Sequence, residues 1–309
     1  SSSAARDFFH GEILDVLIYD RSLTTTEVRA LRTHLENKLA AQAAVEAAAG
    51  SRAASGVSAV GAIWAPFPVI QPLTPGFTTR KLPVQLTNIN FLRYRPDGRL
   101  YAGAYSGKVY LLRDTDGDGL EDKVDLYFEN KDVSVIMGMA LTPPGYPRGE
   151  GVFIVSRGKA LLLLDQDRDG KADETITVAE GWPPPERAAG GVSDSLGIAV
   201  ARDGSVFFGI GADNFTNAYR LDPATGQPGY RLGGERGTIQ RVTPDFSRRE
   251  TVATGIRFTV GLAFNRDGEL FATEQEGATW LSNGNPLDEL LHIQPGRHYG
   301  FPPMHPRHL

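Results

Sequence analysis

The stretch FLRYRPDGRLYAGAYSGKVYLL, residues 91–112, decides the fold. Apolar and polar side chains alternate on both sides of Asp97-Gly98. That dipeptide favours a tight hairpin, because glycine accepts the positive φ the turn demands. A second break at Ser106-Gly107 starts a third strand. The unit recurs as IAVARDGSVFFGIG (198–211) and LAFNRDGELFATE (262–274), with a longer-looped version, MALTPPGYPRGEGVFIVSRGKALLLL (139–164), between the first two copies. Gly98, Gly151, Gly204 and Gly268 lie 53, 53 and 64 residues apart. Strand-and-turn repeats of that length predict an all-β fold, a β-propeller with blades of four strands. Residues 81–309 hold about four blades, the last incomplete, and a six-bladed ring would need more chain than this. A β-sandwich with irregular strands is the competing reading, and it accounts poorly for the repeat.

Composition agrees. Of 309 residues, 41% are hydrophobic and 22% charged, as in a globular rather than a disordered chain. The 35 glycines and 20 prolines suit a turn-rich β protein. A net charge of −5 argues against nucleic acid as a partner. No apolar run is long enough for a membrane-spanning helix. There is no cysteine, which excludes disulfides, thiolate zinc and covalently attached c-type haem within this chain.

Two stretches stand out for their charge. RDTDGDGLEDKVD (113–125) places Asp114, Asp116, Asp118 and Asp122 at positions 1, 3, 5 and 9 of a turn, and LDQDRDGKADET (164–175) does the same with Asp165, Asp167, Asp169 and Asp173. Alternate side chains in a tight loop converge, and clustered oxygen ligands suit Ca²⁺. Leu120 and Lys171 occupy position 7, where a backbone carbonyl is wanted. Asp125 stands at position 12 as a closing carboxylate, a place the second loop fills with Ile176. The bland reading is an empty, solvated acidic turn, against which stand the mutual repulsion of the carboxylates and the occurrence of two copies. No helix pair flanks either loop, so the expected role is to brace blades. Sites of this kind suit calcium-rich, extracytoplasmic surroundings, either periplasmic or secreted.

Residues 1–48 read differently. FFHGEILDVLIYD (8–20) has strand character, and Thr24-Thr25-Thr26-Glu27 fits a capping box before a helix with Val28, Leu31, Leu35 and Leu39 on one face. The run GEILDVLIYDRSLTTTEVRALRTHLENKL (11–39) resembles the last strand and closing helix of concanavalin-like, laminin-G-type sandwiches. On that resemblance residues 1–48 are the C-terminal remnant of such a domain and the chain is a fragment at its N-terminus. The alternative is an arm that packs on the main domain. Residues 49–80 are expected to be a linker.

The C-terminal part carries a second resemblance. GIRFTVGLAFNRDGELFATEQEG (255–277), followed by DELLHIQPGRHYGFP (288–302), resembles the soluble quinoprotein glucose/sorbosone dehydrogenases. These are six-bladed propellers that use pyrroloquinoline quinone (PQQ) and calcium. With its DxDGDG loops, the chain is most similar to the large multidomain propeller proteins of planctomycete-type bacteria, in which a c-type haem domain often follows. The resemblance implies an oxidoreductase acting on a hydroxyl of a sugar or polysaccharide-derived substrate and passing electrons to a haem or other acceptor. Arg257 matches the arginine that contacts the quinone, where a fixed cation stabilises developing negative charge. Gln275 matches the glutamine beside the cofactor, Asp288 and Glu289 a D-E pair, and Tyr299-Gly300 the following turn. Three positions depart from the pattern: Phe258 stands for asparagine, Glu276 interrupts E-Q-G-P, and Ser193 falls where the family has its histidine base. No histidine lies between His34 and His292, which leaves the adjacent Asp194 as the candidate base. A structural role for Arg257, bonding backbone carbonyls of a turn between blades, is the plain alternative. His292, His298, His305 and His308 crowd the end of the chain without a typical metal spacing. Trp280 and Tyr299 could face a sugar ring but are more often core. Against the enzyme stands a second class of function, a non-catalytic, calcium-stabilised propeller that binds carbohydrate or a partner protein.

Overall fold

The computed structural model describes residues 79–182, 195–212, 223–226, 234–275 and 288–301. The chain divides into two compact units, residues 1–71 and 72–309, and every described residue belongs to the second. The strand, capping box and helix expected within residues 1–48 lie outside the described residues, as do Ser193, Asp194, Trp280, His305 and His308.

The described residues form fifteen strands and no helix. Blade 1 comprises β1 (Ile89–Tyr94), β2 (Leu100–Ala104), β3 (Val109–Arg113) and β4 (Lys123–Phe128). Blade 2 comprises β5 (Gly138–Leu141), β6 (Gly151–Ser156), β7 (Lys159–Leu164) and β8 (Glu174–Glu180). Blade 3 comprises β9 (Ser195–Val200), β10 (Val206–Ile210), β11 (Thr238–Val242) and β12 (Arg249–Thr254). Blade 4 has three described strands, β13 (Thr259–Phe264), β14 (Leu270–Glu274) and β15 (Glu289–Ile293). Each sheet is an antiparallel meander in chain order.

The first hairpin of each blade is made as the Asp-Gly repeat predicts. Gly98, Gly204 and Gly268 have φ of 88°, 87° and 86°. Their N–H groups donate to the carbonyls of Arg95, Ala201 and Asn265, three residues back. Blade 2 differs. Gly151 is already the first residue of β6, and its turn glycine is Gly149, whose N–H donates to the Tyr146 carbonyl at 2.9 Å. The repeat is therefore real, but the turn of blade 2 is longer than glycine spacing implies.

Successive blades pack face to face. Tyr101, Val109, Leu111 and Tyr127 of blade 1 meet Val152, Ile154, Leu161 and Leu163 of blade 2. The alternate residues of the same blade 2 strands, Phe153, Val155, Leu162 and Leu164, meet Ile198, Phe208 and Ile210 of blade 3. Ile239, Ala253 and Ile256 then meet Leu262, Leu270, Ala272 and Ile293 around blade 4. A strand buried on both faces needs apolar residues at every position, which is why GVFIVS and KALLLL show no alternation.

The first strands of consecutive blades lie against each other, β1 on β5, β5 on β9 and β9 on β13. Glycine permits this approach. The Gly197 N–H donates to the Met137 carbonyl at 3.1 Å. A Cβ on Gly138 would stand 3.0 Å from the Gly197 Cα and 2.7 Å from Val155 Cγ2.

Where blades 1 and 2 carry acidic loops between their third and fourth strands, blade 3 has the short turn 243–248. Phe246 adopts φ 64° there and packs against the blade 2–3 core. The turn is held by Asp245, whose carboxylate accepts from the hydroxyls of Thr243 (2.6 Å) and Ser247 (2.7 Å) and from the Ser247 N–H (3.2 Å). These bonds, the Thr243 hydroxyl first, hold its pKa down to about 2. The folded value lies below the unfolded one of ~3.9. The contribution is therefore complete above that value and lost as pH falls through the folded pKa. Denaturant unfolding of the native chain and of Asp245→Ala across pH should give a stability gap that is constant above about pH 5 and shrinks toward pH 2. A gap that widens with acidification would contradict this account.

Candidate functional site

The two groups of candidate site residues sit at opposite ends of the strands. The acidic loops join β3 to β4 and β7 to β8, at the same end as the Asp-Gly turns. Arg257 lies in the connection from β12 to β13, and Gln275 follows β14, so both are at the other end.

In the first loop, one carboxylate oxygen each from Asp114, Asp116 and Asp118 converge to within 4.8 Å of one another, all exposed. Backbone donors set this geometry. The Asp114 carboxylate accepts from the N–H groups of Gly117 (2.7 Å) and Gly119 (2.8 Å), and Asp118 accepts from the Leu120 N–H (2.8 Å). The two bonds to Asp114, Gly119 first, lower its pKa. Asp122 is occupied by the Thr115 hydroxyl and N–H, the hydroxyl first, which lower its pKa too. Asp125 is a residue of β4, paired with Leu111, and its carboxylate takes a charge-assisted hydrogen bond from Arg113 that depresses its pKa. Arg80 holds the outside of the loop, donating to the carbonyls of Asp118 (2.8 Å) and Gly119 (3.2 Å).

The second loop brings together Asp165, Asp167 and Asp173. Asp165 accepts from the N–H groups of Asp169 (3.1 Å) and Gly170 (3.0 Å), and Asp169 accepts from the Lys171 N–H (2.8 Å). This loop also reaches blade 1, where the Ala172 N–H donates to the Tyr127 carbonyl at 2.8 Å. Three carboxylates at this separation form an all-oxygen donor set that fits a hard cation such as Ca²⁺. Between the blades, beside this loop, is a cavity of about 80 Å³ lined by Arg99, Tyr101, Glu150, Asp165, Gln166 and Arg168.

At the opposite end, Arg257 and Glu274 are each 2% exposed, whereas Gln275 is exposed. The Arg257 N–H donates to the Glu274 carboxylate, and its guanidinium Nη1 donates to the backbone carbonyl of Gln275. The Gln275 N–H donates to the Phe258 carbonyl at 3.0 Å. The carbonyl-bonding role that competed with cofactor contact in the sequence is thus present at Nη1. An exposed Gln275, its backbone carbonyl held by a buried guanidinium, offers a primary amide whose N–H groups fit an anionic quinone. Glu289, at the start of β15, has its pKa raised by burial. The Tyr299 hydroxyl accepts from the Gln294 N–H (2.8 Å) and donates to the His292 carbonyl, closing the HYGF turn.

Of the four terminal histidines, His292 and His298 are described, each with its own partner. His292 stacks on Phe271, centroids 4.9 Å apart, and His298 Nδ1 is 2.9 Å from the Thr254 hydroxyl. Among the described residues, neither belongs to a metal-sized cluster. Sequence reasoning missed Arg95, which is buried between blades 1 and 2. It donates to the Gly151 carbonyl at 2.7 Å and lies over the Tyr101 ring. No local pattern marks a cation whose partner is one blade away.

Comparison with known proteins gives three findings. A family model described as a domain of unknown function, DUF7133, matches residues 89–298. No curated protein matches the chain. Solved structures match with propeller-type similarity. The PQQ-bound aldose sugar dehydrogenase of Streptomyces coelicolor is 21% identical, with a TM-score of 0.53 over 72% of this chain and 65% of that one. The PQQ domain of a pyranose dehydrogenase from Coprinopsis cinerea is 13% identical, TM-score 0.50, over 68% and 51%. A calcium structure of the Trichoderma reesei carbohydrate-active enzyme family AA12 is 13% identical, TM-score 0.52, over 72% and 55%. The chain thus spans less than two thirds of each of these structures.

Proposed function

The chain belongs to the DUF7133 family, and we propose that its propeller is a PQQ-dependent sugar dehydrogenase of the glucose/sorbosone type. The observation that carries this reading is the pairing of exposed Gln275 with buried Arg257 at one end of the blades, on a fold shared with sugar dehydrogenases. Gln275, with Arg257 behind it, would hold the cofactor. Bound there, PQQ would supply the two-electron acceptor. With it in place, a hydroxyl of a sugar or polysaccharide-derived substrate would give its proton to a base and the two electrons of its carbon–hydrogen bond to that acceptor, becoming a carbonyl. Asp194 is the candidate base. A c-type haem domain elsewhere in the protein, or another acceptor, would take the electrons onward.

In the same proposal Ca²⁺ occupies the two acidic loops, at the end away from the chemistry, and braces blades 1 and 2. Their convergent carboxylates support it. Calcium sites of this kind favour an extracytoplasmic, bacterial setting, periplasmic or secreted. No helix among the described residues is long and apolar enough to cross a membrane. Residues 1–48 are assigned to a concanavalin/laminin-G-like remnant, 49–80 to a linker, and 81–309 to four blades of a six-bladed ring.

The second reading, a non-catalytic calcium-braced propeller that binds carbohydrate or a partner protein, has its own support: Ser193 stands at the position of the family's histidine. One titration separates the two. The full-length protein in Ca²⁺ is titrated with PQQ, then assayed for dye reduction with a panel of sugars, and its melting temperature is read with Ca²⁺ and with chelator. Saturable binding with sugar-dependent dye reduction supports the dehydrogenase. No binding, with melting still raised by Ca²⁺, leaves the braced scaffold. Melting indifferent to Ca²⁺ refutes the ion assignment.

A further inference from the structure

Resting on the cofactor reading above, we infer that Arg257 is a positioning residue, which acts by holding Gln275 and does not itself touch the cofactor. The resemblance gives Arg257 direct contact with the quinone, and the geometry around it disagrees. Its side chain is 2% exposed, and Nη1 is directed at the Gln275 carbonyl. A guanidinium bond to a backbone carbonyl is charge-assisted and strongly orienting. Three further contacts serve the same end. The Arg257 N–H is taken by the Glu274 carboxylate, the Arg257 carbonyl accepts from the Ala212 N–H at 2.9 Å, and the Gln275 N–H donates to the Phe258 carbonyl. Gln275 is therefore fixed at both its N–H and its carbonyl, while its side chain remains exposed. Direct contact with Arg257 would require a bound molecule to reach a group that has almost no surface. The buried Glu274 carboxylate, bonded to the same residue, further offsets the field the cation could offer. The amide of Gln275 is what the site presents.

The test is a double-mutant cycle read as the PQQ dissociation constant of the full-length protein in Ca²⁺. Gln275→Ala and Arg257→Ala should each weaken binding by about ten-fold, and the double variant by about ten-fold as well, because both remove one interaction. Losses that multiply to about a hundred-fold would mean an independent contact by Arg257 and overturn the inference. A second readout is the salt dependence of binding, which should be the same in the native and Arg257→Ala proteins. A flattened dependence would reveal a lost charge contact and also overturn it. If Arg257→Ala does not fold, Arg257→Lys takes its place in the same cycle, with the same expected non-additivity. Undiminished binding by Gln275→Ala refutes the inference alone. No binding by the native protein removes the cofactor reading and this inference with it.

Discussion

Truncating Phe153 to alanine should lower the stability of the chain by about 3–5 kcal/mol, as measured by denaturant unfolding. Phe153 is fully buried on β6, on the face of blade 2 that meets blade 3. It makes edge-to-face contacts with Tyr146 (centroids 5.6 Å apart) and Phe246 (6.3 Å). Both neighbours are anchored elsewhere: Tyr146 lies in the longer turn of blade 2 and Phe246 in the positive-φ turn of blade 3. Neither can collapse into the space without giving up its own turn, so the cavity persists and the cost falls in the upper range for a lost aromatic ring. A loss below about 1.5 kcal/mol would mean that the interface closes around the deletion, and that blades 2 and 3 are less firmly packed than described.

Gly138→Val tests the same architecture from the opposite direction. Its branched side chain would enter the seam between β5 and β9, where a single Cβ already comes within 2.7 Å of Val155 Cγ2 and 2.9 Å of the Gly197 carbonyl carbon. Val155 can rotate, but the Gly197 backbone is tied to Met137 and cannot yield without parting the two inner strands. We expect a destabilisation at or above the upper end of about 1–3 kcal/mol, the usual range for overpacking. Gly145→Val is the control, since nothing lies within 4 Å of a Cβ there. Its φ of 73° gives it a backbone cost that Gly138 does not share, so any excess loss at Gly138 is a lower bound on the steric part. Equal losses in the two variants would contradict the close approach.

Much of this architecture can be read directly from local chemistry. Asp97-Gly98, Asp203-Gly204 and Asp267-Gly268 mark hairpins because the turn itself requires a glycine at positive φ, a constraint settled within four residues. The acidic loops were equally legible, since alternating aspartates fold back on neighbouring N–H groups whatever surrounds them. Partners brought in from other strands or blades were not legible. Asp125 counts as position 12 of a loop in the sequence, but β4 has already begun there and Arg113 stands across the ladder. Arg257 lies in a familiar motif, yet its partner is a backbone carbonyl 18 residues away, and carbonyls leave no trace in sequence. The same holds for Arg95 and the Gly151 carbonyl. Side-chain identity tells which groups need partners, and only the tertiary arrangement tells which partners they obtain.

The order of strands has a consequence for how such a chain is made. Among the described residues, each of the four sheets pairs strands that are neighbours in sequence, so each needs only its own stretch of polypeptide to pair. Sequence-distant contact lies between sheets, in the apolar seams and in a few polar links such as Arg95 to the Gly151 carbonyl and the Ala172 N–H to the Tyr127 carbonyl. Local pairing is kinetically cheap, and the slower search is left to docking. Synthesis at about 5–20 residues per second releases a blade-length of some 50 residues every few seconds. During that interval the newest sheet carries one uncovered apolar face, and the next sheet to emerge is the one that covers it.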